Sequence, residues 1–177
     1  MYEITYKGLW LDSSFVMAKG VLYIPKSDKP LAEMVYCHGT RISIDQSYGI
    51  QDLEQLVAMM HAADGYVAYF PFYYGLGGGE KEHIYHDAFT ESMSIIYMIK
   101  ACREILPTLG VKTSGQLFVT GYSQGGHAAM ATQAVIWCSK GPLNAQTGVS
   151  STPVSALSHG YIAPLKPFEK AFLFAAS

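Results

Sequence analysis

Charge of either sign is scarce in this chain of 177 residues: Asp, Glu, Lys and Arg make up 15% of it, and the formal net charge is −2 at pH 7. The basic residues are scattered with no run among them, which argues against a nucleic-acid partner and against electrostatic binding to anionic membranes. Cysteine is sparse as well. Cys37, Cys102 and Cys138 are odd in number and lie in apolar contexts, so they read as buried reduced thiols rather than as a disulfide framework or a metal site. No apolar run reaches the length of a membrane span. The first residues, Met1-Tyr2-Glu3-Ile4, have neither a basic nor an apolar leader region, so nothing in the chain as written exports it and a cytoplasmic location is the expectation. What is plentiful is apolar surface, with 50% hydrophobic and 13% aromatic residues, enough for one domain with a sizeable core.

One stretch organises the rest. Val119-Thr120-Gly121-Tyr122-Ser123-Gln124-Gly125-Gly126-His127 is an apolar run that breaks into Gly-x-Ser-x-Gly and then into an alanine-rich helical pattern. A serine held at a strained strand-to-helix turn needs near neighbours without side chains; Gly121 and Gly125 let strand and helix pass closely while Ser123 is pushed outward. Its hydroxyl then sits at a helix N-terminus, where the Gln124 amide can stabilise a developing oxyanion. The pattern alone is weak, and its setting strengthens it: residues 116–120 suit a buried strand and 126–137 a helix.

Along the chain, 2–10 and 15–24 alternate as two antiparallel strands, and the apolar run 31–37 reads as a central strand ending at His38-Gly39-Thr40. Leu53, Leu56, Val57 and Met60 follow helical spacing up to Asp64-Gly65, and a fourth strand spans 66–70. After the glycine-rich segment at 74–79, a second helix runs from about Asp87, with Ile95, Met98, Ile99, Cys102 and Leu106 on one face and Pro107 closing it. Alternating strands and helices predict an α/β protein: a mostly parallel sheet with helices on both faces, preceded by an antiparallel strand pair. With no repeat or linker, 1–177 reads as a single domain, and 138–177 as an atypical tail rich in Ser, Pro, Gly and Ala, with weak strand or helix candidates at 152–157 and 171–176.

These residues together resemble the α/β-hydrolase superfamily, in particular its bacterial esterase and secretory-lipase-like members. The likeness covers roughly residues 2 to 137 and is carried by His38-Gly39-Thr40, Tyr73-Tyr74-Gly75-Leu76-Gly77, His83-Ile84-Tyr85-His86, and Gly121-Tyr122-Ser123-Gln124-Gly125-Gly126-His127, in that order. It implies a serine nucleophile, Ser123, acting on small carboxylic esters with no metal and no cofactor. It also implies that the amide of Thr40 joins that of Gln124 in an oxyanion hole. Related families are often exported.

The likeness stops short downstream. In this superfamily the serine is followed by an acid and then a histidine, yet beyond Ser123 the only carboxylate is Glu169 and no histidine follows it. His127, one helical turn on, reads as a packed or capping residue rather than a base, and His159 would reach Ser123 only if the tail folded back. The chain therefore looks truncated, and the alternative to a serine hydrolase is a non-catalytic α/β-hydrolase-like module without the acid and histidine. A sheet halted near its sixth strand would present an unpaired edge, so self-association through that edge is expected.

Other motifs fail on inspection. Gly75-Leu76-Gly77-Gly78-Gly79-Glu80 ends in glutamate where a dinucleotide loop needs its last glycine, and Lys81 lacks the flanks of a phosphate-binding loop. His83, His86 and Asp87 have the spacing of metal ligands but suit a loop-to-helix junction, with Asp87 at the N-terminal end of the helix. Met59 and Met60 read as core filling.

Overall fold

A computed structural model describes residues 1–41 and 52–140, together with the backbone of three short strands beyond them. The strands β1 (Tyr2–Leu9) and β2 (Phe15–Tyr23) form the expected antiparallel pair, with Tyr2 opposite Leu22 and Leu9 opposite Phe15. Their alternation sends Ile4, Tyr6, Val16 and Ala18 into the core. The strands β3 (Leu31–Cys37), β4 (Val67–Pro71) and β5 (Thr113–Gly121) are parallel at the centre of the sheet, in the order β5-β3-β4. The near-continuous apolar runs of β3 and β4 are what a strand covered on both faces requires, whereas β5 is buried only toward its C-terminal end. β2 joins the other side of β4 in antiparallel fashion.

Helix α1 (Leu53–Ala63) lies against β3 and β4, while α2 (Ala88–Ile105) and α3 (Gln124–Lys140) pack on each other across the opposite face. The fold is thus α/β with helices on both faces, as expected, and its sheet is mixed rather than parallel outside the centre. The tail contributes β6 (Val149–Ser150), β7 (Ser158–Ile162) and β8 (Phe174–Ala175), giving the strand order β6-β7-β5-β3-β4-β2-β1-β8. Beyond β5 the sheet continues: β7 runs antiparallel to it, Thr120 opposite His159 and Gly121 opposite Ser158. Strand β8 falls within the expected 171–176 segment, whereas 152–157 lies outside the described residues.

Helices α1 and α2 start at aspartates. Asp52 accepts from the amides of Glu54 and Gln55, and Asp87 from that of Thr90, as suited its place ahead of α2. The expected apolar stripe of α1 is corrected: Gln55, Ala58 and Ala62 are its buried face, while Leu53, Leu56 and Met60 are exposed and only Met59 and Val57 pack partly on the core. Small residues let the helix axis approach the sheet, so the face with two alanines wins over the face with more leucine. Cys37 and Cys102 are buried, but Cys138 is exposed, against expectation. Inside the core, Glu33 is fully buried and held by Arg103, whose Nε and Nη2 donate at 2.8 Å, and by the Tyr69 hydroxyl at 2.5 Å. Among the described residues no helix is long and apolar enough to cross a membrane.

Candidate active site

The parallel ladder sets Cys37 beside Gly121, so the chain leaves β3 and β5 side by side at one end of the sheet. Leaving β3, it passes through His38 and Gly39 to Thr40; leaving β5, through Tyr122 to Ser123 and Gln124. The Tyr122 amide donates to Cys37 O at 3.3 Å, tying the two exits together. The three residues singled out from the sequence, Thr40, Ser123 and Gln124, thus follow the ends of two adjacent strands, with Ser123 and Thr40 exposed and Gln124 buried.

Ser123 has φ +53, a conformation that costs a non-glycine residue energy and persists only where the surroundings impose it. The imposing contacts are glycine contacts. A Cβ on Gly121 would stand 2.1 Å from Gly125 O, and one on Gly125 would stand 1.9 Å from Cys37 O. The strand and the helix thus cross at backbone distance, and the serine between them has one way to turn. Helix α3 begins at the next residue, with the amides of Gly126 and His127 donating to Ser123 O at 2.9 and 3.4 Å.

The loop after β3 is held from below. The Gly39 amide donates to Glu54 Oε2 at 2.5 Å, and Arg41 pairs with Asp52, so the start of α1 anchors both sides of Thr40. Burial, aided by the Arg41 guanidinium, pulls the pKa of His38 down to about 3. That imidazole is accordingly neutral, and it lies against the Tyr73 ring at 4.2 Å while the Tyr73 hydroxyl donates to His38 O at 2.9 Å. The Thr40 hydroxyl meets the Tyr85 hydroxyl at 3.0 Å, and the rings of Tyr85, His86 and His127 stack in sequence at 4.3 and 4.9 Å. Tyr73 and His86, like Ser123, have positive φ, so backbone strain gathers at this end of the sheet.

The His127 side chain, expected to be a packed or capping residue, is 37% exposed and tied to α2. Its Nδ1 lies 2.7 Å from Glu91 Oε2, a fully buried carboxylate on the first turns of α2. His159 is placed by the backbone of β7 opposite Thr120. His83, His86 and Asp87 do not converge on a metal-like point: Asp87 caps α2, His83 faces Gln124 and His86 stacks on His127. Glu91 is the residue that sequence reasoning missed. Its position in the first turn of a helix reads as an ordinary complement to the helix dipole, and nothing local signals its burial.

This architecture, with a strained serine turn between the central strand and its helix, is the α/β-hydrolase fold in its esterase-like form, present in part. A protein of Legionella pneumophila classed as a hydrolase superposes with a TM-score of 0.69 at 28% identity, over 77% of this chain and 39% of its own. The rice cell wall degrading esterase LipA of Xanthomonas oryzae superposes with a TM-score of 0.62 at 29% identity, over 76% of this chain and 37% of its own. Est1E of Butyrivibrio proteoclasticus, solved with ferulic acid bound, shares the fold at 18% identity and a TM-score of 0.51, over 72% of this chain and 47% of its own. No family model and no curated protein sequence matches the chain. It thus spans less than half the length of the solved structures that it resembles.

Proposed function

We propose that the chain carries the nucleophile half of a serine hydrolase of small carboxylic esters, within one partial α/β-hydrolase domain spanning 1–177. The observation that carries this reading is Ser123 at φ +53, exposed between β5 and α3 where Gly121 and Gly125 leave no room for a side chain. Ser123 Oγ attacks the acyl carbon as a histidine removes its proton. The amides of Thr40 and Gln124 receive the carbonyl oxygen as it becomes an oxyanion; the ester C–O bond then breaks, the alcohol leaving with the proton that the histidine took, and water, deprotonated by the same histidine, releases the acyl group as the acid and returns the serine hydroxyl. No metal or cofactor takes part in this scheme. The solved esterases that the chain resembles support the ester as the substrate class. The outermost strands, β6 and β8, are two residues each, and self-association along the sheet edge belongs to the same proposal, checked by light scattering.

A second reading has its own observation. Beyond Ser123 the one carboxylate is Glu169, and His127 is committed to Glu91 at 2.7 Å, so the chain would act as a non-catalytic α/β-hydrolase-like module. Loss of the histidine from such a triad costs on the order of 10⁶ in turnover. A fluorophosphonate separates the two readings. The hydrolase reading expects one adduct, on Ser123, absent from Ser123→Ala; no adduct on folded protein leaves the module reading in its place.

A further inference from the structure

Glu91 is 1% exposed and its carboxylate collects donors from two segments that flank the candidate site. Gln124 Nε2 donates to Oε1 at 2.7 Å and the His86 amide to the same oxygen at 3.2 Å, while His127 Nδ1 lies 2.7 Å from Oε2. Gln124 is itself fully buried, and its Nε2 also lies 2.9 Å from His83 Nε2. An amide nitrogen only donates, so His83 Nε2 is the unprotonated ring nitrogen and its Nδ1–H points to Tyr74 O at 3.3 Å. Burial lowers the pKa of His83, in keeping with a neutral ring. Both protons of the Gln124 amide are thereby used, whereas its Oε1 is buried with no partner among the described residues. The side chain is oriented by what it donates to, and the stronger acceptor is the carboxylate.

We propose that Glu91 is a positioning residue for the Ser123 site: by gripping the Gln124 side chain it fixes the direction of the Gln124 main-chain N–H toward the oxyanion. This rests on the hydrolase reading given above. A donor aimed in advance stabilises the transition state without reorganising when the charge appears, so its value lies in the chemical step rather than in binding. A carboxylate suits the task because it only accepts; an amide in its place could keep Gln124 and the His86 amide on its oxygen only by turning its N–H groups toward His127 Nδ1, which would then have to give up its proton.

Two measurements on the whole chain test this with Glu91→Gln, Gln124→Ala and their combination. Gln124→Ala keeps the main-chain amide and removes only its tether, so it carries the test even if Glu91→Gln does not fold. In hydrogen exchange, amides of 122–127 should exchange at least about 10-fold faster in either variant while the distant β1–β2 pair keeps its protection. In fluorophosphonate labelling, the maximal rate should fall about 10- to 100-fold with an unchanged half-saturation concentration, less than the 10²–10³ lost with a whole donor. The double variant should be no slower than the slower single one. Unchanged local exchange, multiplied effects in the double variant, or a shift in half-saturation alone would each overturn the proposal. If the unmodified chain takes no label, the hydrolase reading fails, and the exchange comparison still decides whether Glu91 holds the turn.

Discussion

Gly125 and Gly126 are neighbours in sequence but meet opposite surroundings, and exchanging each for alanine should move stability in opposite directions. A methyl at Gly125 would stand 1.9 Å from Cys37 O, 2.5 Å from Cys37 C and 2.7 Å from His38 O. Nonbonded carbon is at ease at about 3.5–4.0 Å, so the end of β3 and the first turn of α3 would have to part by roughly 1.5 Å. Overpacking costs about 1–3 kcal/mol where side chains can yield. Here every crowded atom is backbone of a central strand, so a loss of at least about 3 kcal/mol is expected, a large share of the 5–15 kcal/mol typical of a whole domain. At Gly126 the nearest atom is Gly121 O at 3.8 Å, and the residue lies within α3, so alanine has room and should gain about 0.5–1 kcal/mol. Urea unfolding followed by far-UV circular dichroism measures both, with the slope against denaturant confirming that the same surface unfolds. A Gly125→Ala variant within about 0.5 kcal/mol of the parent, or a Gly126→Ala variant as damaged as Gly125→Ala, would refute the crowded crossing as the cause of the serine's conformation.

Three further outcomes follow from the same structure. Arg103→Met strips Glu33 of its bidentate partner and should cost about 3–5 kcal/mol in thermal or urea unfolding, since it leaves a buried carboxylate uncompensated; a loss under about 1 kcal/mol would show that Glu33 is not held as a charge. His38 titrates at about 3 when folded, against about 6.5 for an ordinary histidine, so acid protonates the unfolded chain first. Stability should therefore fall by up to about 1.4 kcal/mol per pH unit as pH drops from 6.5 toward 3, and His38→Gln should flatten that slope by about one proton. An unaltered slope would mean that His38 is protonated in the fold. A thiol reagent should modify Cys138 alone in the native protein and all three cysteines after denaturation; fast native reaction of Cys37 or Cys102 would contradict their burial.

The features that the sequence made legible are those set by near neighbours in the chain. Gly121, Ser123 and Gly125 describe a crossing of strand and helix through their own spacing, because the steric need for glycine is local. Asp87 signals the start of α2 for the same reason, its carboxylate reaching an amide three residues on. The central strands could be read from their apolar runs, since burial on both faces leaves that mark on composition. Other features depend on which surfaces meet. Leu53, Leu56 and Met60 announce a helical stripe, yet the sheet accepted the face of Ala58 and Ala62, because the distance between helix and sheet, rather than the periodicity, selects the buried side. Glu33 sits in a strand beside an arginine 70 positions away, and β7 pairs with β5 in a direction that no pattern in the tail announces.

The sequence by itself thus determined the α/β order of elements and the place of Ser123, since both follow from backbone sterics and short-range periodicity. Only the tertiary structure decided the company that Ser123 keeps. Glu91 stands 33 residues before Gln124 and 36 before His127, and the packing of α2 on α3 turns an acid of a helix's first turn into the shared acceptor of both.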